Sequence, residues 1–174
     1  MVLVLGLGNR LMTDDALGGR VIEVLERDYR LPPGVKILDG GTLGLDLLPH
    51  LEGVEKLLLV DALDLGEQPG TIFRLAGAEV PRAFAGKLSV HQMGLQDLLA
   101  VAELQGHLPS ELVFWGAQTA SVTMGLAMTP ALEAALGQVV AGAVSELVAW
   151  GISVTAKADA GERVSPDRSC SFAL

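Results

Sequence analysis

The feature that most constrains this chain is its start. Val2–Leu7 is a continuous apolar run ended by glycine, at the front of "LVLGLGNRLMTDDALG". A strand with water on one face alternates apolar and polar residues; an unbroken run belongs to a strand covered on both faces, as in a parallel sheet between helix layers. It is far shorter than the roughly 20 residues that span a bilayer. It also lacks the basic leader and small-residue cleavage site of a signal peptide. A cytoplasmic location without membrane insertion is therefore expected.

The rest of the chain follows the same alternation. Thr13 is placed to cap a helix with Asp14 and Asp15 in its first turn, where the helix dipole favours negative charge. Leu17, Val21, Val24 and Leu25 recur at helical spacing, and this helix should end near Tyr29, before Pro32-Pro33. Val35–Leu38, Lys56–Val60, Thr71–Leu75 and Leu112–Gly116 read as further strands. The Pro69-Gly70 turn leaves too little chain for a helical crossover, so Thr71–Leu75 should run antiparallel at or near an edge. Helices are expected at Leu43–Leu51, Gln92–Leu104 and Pro130–Trp150. The last, apolar and rich in Ala and Gly, suits packing on the sheet or on a partner. The expected fold is a three-layer α/β sandwich: a mostly parallel, twisted, five-stranded sheet with helices on both faces. One domain should cover residues 1–152. Residues 153–174 turn polar and read as a flexible tail.

Composition narrows the function. Lys and Arg number 12 against 21 Asp and Glu, a net charge of −9, which argues against a nucleic-acid partner. The single Cys170 supports neither a disulfide framework nor a cysteine metal site. Any metal must be held by carboxylates and the three histidines.

Gly6-Leu7-Gly8 after a strand resembles a nucleotide-binding turn, but a dinucleotide fingerprint needs a third glycine where Leu11 stands. A phosphate there would also meet Asp14 and Asp15. No phosphate-binding G-x-x-x-x-G-K-[ST] loop, G-x-S-x-G elbow or H-E-x-x-H helix occurs. A nucleotide-binding α/β protein thus stands only as an alternative.

The acids point elsewhere. In an open parallel sheet, the loops after the strands' carboxyl ends line one crevice. The first strand leads to Asp14 and Asp15, the second to Asp39, the third to Asp61 and Asp64. Asp14 has a bland role in a helix start, Asp39 in a turn, and Asp64 as a solvated residue. Asp15 has Gly18 and Gly19 on its helical face. Those glycines either clear room for a ligand or pack the helix closely on the sheet. His50 reads as a surface or capping residue and His107 as a loop residue. His91 stands at a helix start that faces the same edge. Asp15, Asp61 and His91 together make a two-carboxylate, one-imidazole set suited to a divalent first-row metal with open positions.

The blocks "GLGNRLMTDDALG", "ILDGGTLGLDLL", "LLLVDAL" and "VHQMGLQDLL" resemble, in order and spacing, the maturation endopeptidases of nickel–iron hydrogenases. The resemblance covers about residues 1–150. It implies a peptide-bond hydrolase, grouped with aspartic-type proteases. Such an enzyme removes a C-terminal extension from the hydrogenase large-subunit precursor once nickel is inserted. It implies Asp15, Asp61 and His91 as catalytic and nickel-contacting residues, with nickel carried by the substrate and not permanently bound. It also implies Asp39, Gly40, Gly41 and Thr42 in the substrate-facing cleft. Two positions depart from the family pattern: Asp15 stands where relatives often have glutamate, and Val90 where they often have proline. A non-proteolytic nickel-binding chaperone would use the same three ligands, and release of a peptide separates the two readings.

Overall fold

The structure is a computed structural model that describes residues 1–84 and 90–157, without the side chains of residues 90–93. The elements run β1 (Val2–Leu7), a 3-10 turn (Thr13–Ala16), α1 (Leu17–Asp28), β2 (Tyr29–Arg30) and β3 (Val35–Gly41). A second 3-10 turn (Gly44–Leu47) leads to α2 (Leu48–Leu51), β4 (Lys56–Leu63), β5 (Ile72–Ala76) and α3 (Glu79–Phe84). The described residues continue with α4 (Val90–Leu104), β6 (Glu111–Gln118), α5 (Pro130–Ala149) and β7 (Thr155–Ala156).

Five strands form one sheet in the order β3-β1-β4-β6-β5. All neighbours are parallel except β5, which lies antiparallel to β6 at the edge, as the short Pro69-Gly70 connection requires. The chain steps outward from β1 to β3, then crosses back to place β4 on the other side of β1. The β1/β4 seam is therefore the switch point of the sheet, where α/β proteins open a crevice beyond the strands' carboxyl ends.

Two cores flank the sheet. Val2, Val4, Leu58 and Val60 pack with α1 and α5 on one face; Leu3, Leu5, Leu57 and Leu59 pack with α2, α3 and α4 on the other. This alternation explains why all of β1 is buried and why its sequence is an unbroken apolar run. Phe84 of α3 meets Phe114 of β6 edge to face at 5.5 Å.

Several expectations are corrected. β3 runs on through Gly41 and β4 through Leu63, so Asp39 and Asp61 lie inside strands and do not end them. Thr13 does not cap a helix: its φ is +42°, and the turn and α1 start without a side-chain cap bond. Gly18 settles on the packing reading. A Cβ there would strike Leu7 and Val60 backbone atoms, and one at Gly6 would strike Gly18, so α1 lies against β1 at van der Waals distance. The room beside Gly19 is filled by the Arg10 side chain. α5 packs on the sheet, with Gly142 against the Trp115 ring. β2 and β7 pair antiparallel, so the segment expected as a tail begins with a short ladder to the end of α1. The tail's remainder, 158–174, lies outside the described residues.

Candidate active site

The chain leaves β1 through Gly8, whose φ is +112°. A Cβ at Gly8 would overlap the Asp15 carbonyl oxygen and come within 3.2 Å of Asp61 Oδ1. Glycine is thus required both for the backbone turn and for the space. The same close approach brings Asp15 and Asp61 to the two sides of the β1/β4 seam.

Both acids are withdrawn from solvent: Asp15 is 5% exposed and Asp61 0%. Asp15 accepts a hydrogen bond from the Asn9 N–H (2.8 Å), and Asp61 from the Ala62 N–H (2.7 Å). Such bonds favour the ionised carboxylate while burial disfavours it. Alternation along β4 puts Asp61 on the face of Leu57, Leu59 and Leu63, the face that α4 covers.

His91 falls in the first turn of α4. Its side chain lies outside the described residues. The helix is held by a glycine-to-glycine contact: a Cβ at Gly94 would come within 3.1 Å of the Gly44 Cα, and Gly44 opens the turn after β3. The sheet's carboxyl edge therefore gathers Asp15, Asp61 and the start of the helix that carries His91. Among the described residues no three His, Cys, Asp or Glu side chains cluster as a metal site.

The Asp39–Thr42 block divides. Asp39 receives Arg10 Nε at 2.8 Å, and Arg10 also reaches Glu23 and the Gly19 carbonyl. These carboxylates, Glu23 foremost, hold the guanidinium pKa above its ordinary value. Gly40 is buried, and a Cβ there would press on Leu5 and Leu47. Gly41, at φ +50°, accepts the Gly8 N–H through its carbonyl, and Thr42 is exposed. Gly41 and Thr42 line a narrow crevice with Leu95 of α4. Asp64 is exposed but bonded to Gln118 and the Gly66 N–H. His50 meets Lys36, and His107 is exposed.

Asp14 does more than start a helix. Asp14 is fully buried and accepts hydrogen bonds from Ala120 N–H (2.8 Å), Ser121 N–H (3.0 Å), Thr129 N–H (2.7 Å) and Thr129 Oγ1 (3.0 Å). It staples the turn after β1 to the loop between β6 and α5. The available signal was the run "TASVTMGLAMT", which has no charge between a strand and a helix.

The fold is an open α/β sheet with two buried acids flanking its switch point, a class that places a ligand-binding crevice at that edge. A family model described as hydrogenase maturation protease matches residues 19–146. The chain is 42% identical over 145 residues to the Hydrogenase 2 maturation protease of Escherichia coli (strain K12), covering 80% of this chain and 88% of that protein. It is 45% identical over 157 residues to the hydrogenase expression/formation protein HupD of Rhodobacter capsulatus, covering 88% of this chain and 74% of that protein. Among solved structures, the hydrogenase maturating endopeptidase HybD from E. coli superposes with a TM-score of 0.88 at 37% identity, covering 91% of this chain and 98% of that one. The chain belongs to the hydrogenase maturation protease family, and it is an endopeptidase of hydrogenase maturation.

Proposed function

We propose that this protein removes the C-terminal extension of a nickel–iron hydrogenase large-subunit precursor, and that Asp15, Asp61 and His91 meet nickel that arrives with that substrate. The observation that carries the reading is the Gly8 turn, which brings two nearly buried aspartates to the switch point of the sheet. The donor set fits: two carboxylates and an imidazole accept a divalent first-row metal and leave positions open. When bound, the nickel supplies Lewis acidity to the scissile carbonyl and fixes the register of the substrate.

The residues of the chain do the rest. One of the two aspartates takes a proton from the attacking water. The new C–O bond forms, the C–N bond breaks, and the leaving amine carries the proton away. Asp39 to Gly41 at the end of β3, with Thr42 just after it, form the side of the cleft along which the extended substrate lies beside the acids. A metal that comes with the precursor makes cleavage wait for metal insertion. The aspartic-type grouping follows from this use of the carboxylates. The reading places the protein in the cytoplasm, with a protein partner, no nucleic acid and no membrane insertion; the net charge of −9 is in keeping with it.

The test is to incubate nickel-loaded and nickel-free precursor with the protein and weigh the products. Release of the C-terminal peptide only from loaded precursor is expected. Equal cleavage of both would remove the nickel step, and no released peptide from either would overturn the proteolytic reading.

A further inference from the structure

The loop between β6 and α5 combines two properties that seldom coincide. It is tightly braced, and it exposes large apolar side chains. Asp14 accepts N–H groups from both ends of the loop, at Ala120, Ser121 and Thr129. Thr13 Oγ1 donates to the Ser121 carbonyl at 2.7 Å and accepts the Thr123 N–H at 3.1 Å. The Thr13 N–H donates to the Gly125 carbonyl, and the Gly125 N–H donates to the Leu11 carbonyl, both at 2.8 Å. This last bond sets Leu11 beside the residues flanking Gly125.

Those residues are in water. Met124 is 88% exposed, Leu126 81% and Leu11 59%, with Val122 also exposed. Single exposed apolar residues are ordinary, but a cluster on a fixed frame marks a contact surface. The frame costs a buried carboxylate and a non-glycine residue at positive φ, Thr13. A loop that only joined a strand to a helix would need neither.

Place and charge say what the surface meets. Asp14 and Asp15 are consecutive, so the brace of the loop and the candidate catalytic acid share one turn. The loop that carries the patch is hydrogen-bonded to Leu11, Thr13 and Asp14, in the same segment that carries Asp15. The segment 119–129 carries no charged residue, in a chain whose net charge is −9. An uncharged lip on an acidic protein fits an apolar, uncharged peptide segment and gives a charged one no partner.

Resting on the proteolytic reading above, we propose that Leu11, Val122, Met124 and Leu126 form a preformed apolar lip that docks an apolar segment of the large-subunit precursor beside the scissile bond. Asp14 and Thr13 are positioning residues that hold the lip in place, and substrate affinity is drawn from there. Because the lip is built before substrate arrives, binding does not spend free energy on ordering the loop.

The experiment uses the full chain and the precursor. The double variant Met124→Ser/Leu126→Ser should unfold at the wild-type temperature, since both side chains are in solvent. With cleavable precursor, KM should rise about tenfold or more while kcat at saturation stays within about twofold, the pattern of lost uniform binding. The same double substitution is also made in an Asp61→Asn background. There, precursor affinity is read by surface capture without any cleavage and should fall by a similar factor. Unchanged KM and affinity would overturn the lip. So would a dimer in sedimentation velocity that the double variant abolishes, because the patch would then be closed by a second copy. If the wild type released no peptide but the substitutions still weakened capture, the proteolytic reading would fail and the lip would stand.

Discussion

Two buried carboxylates hold α5 in place, one at each end, and they are satisfied in opposite ways. At the start of α5, Asp14 takes only uncharged donors: three backbone N–H groups and the Thr129 hydroxyl. Near its end, Glu146 takes the Arg74 guanidinium in two parallel bonds of 2.8 and 2.9 Å and the Trp115 indole N–H at 3.1 Å. The Arg74 bonds foremost, with Trp115, hold the Glu146 carboxyl below its ordinary pKa against the opposing pull of burial. A guanidinium cancels the charge it binds; peptide dipoles stabilise a charge without cancelling it. The Glu146 end is therefore electrically closed and purely structural. At the Asp14 end all four donors are neutral, and the residue stands next to Asp15 at the carboxyl edge of the sheet.

The largest effect expected from this contrast is at Asp61. Asp61→Asn should lower precursor cleavage by about two orders of magnitude or more, as loss of a positioned base or ligand does. The folded protein should persist, because asparagine still offers an oxygen to the Ala62 N–H. Cleavage at the wild-type rate in a mass-resolved time course would take Asp61 out of the site.

Asp14→Asn comes next. An asparagine offers one oxygen and an NH2 group to a pocket of donors. About 2–3 kcal/mol of stability should go, read by urea unfolding. KM should rise with it, because the same bonds hold the lip. Loss of stability with unchanged KM would separate Asp14 from substrate binding.

Glu146→Ala should cost about 2 kcal/mol, below the usual figure for a fully buried pair because Arg74 is half exposed. Cleavage measured well below the unfolding temperature should be unaffected. A selective loss of kcat there would erase the distinction between the two ends.

The smallest effect is in pH. The folded Glu146 pKa lies below its unfolded value, so its contribution is complete above the ordinary glutamate range. It falls away as pH drops through that range toward the depressed value. Glu146→Gln should flatten that part of the acid limb of a stability–pH curve. An unchanged limb would mean that other carboxylates carry it.

The acids at the sheet edge were readable because they stand at or just beyond the carboxyl ends of apolar runs. The central strands β1 and β4 were readable because their apolar runs are unbroken. The antiparallel edge strand was readable from Pro69-Gly70, since a tight turn cannot return the chain for a parallel partner. Strand ends were misjudged at Asp39 and Asp61 for one reason: a charged residue seems to stop an apolar run. Here Asp39 is paired with Arg10, and Asp61 bonds the Ala62 N–H while the ladder to β6 continues. The β2–β7 ladder had no signal, because two-residue strands have no period. Asp14 looked like an ordinary helix-start residue because its partners lie more than a hundred positions away.

The sequence by itself determined the layered α/β architecture, because apolar periodicity is a local code for what faces a core. It singled out Asp15 and Asp61, at or just beyond the ends of apolar runs, and the family through its motif blocks. Only the tertiary structure decided that Gly18 serves α1–sheet contact and that Gly19 makes room for Arg10. It alone decided that Asp14 braces the loop between β6 and α5. The reason is physical. A residue's chemical type is written locally, but whether a carboxylate is neutralised, braced or left charged depends on which distant donors the fold brings to it.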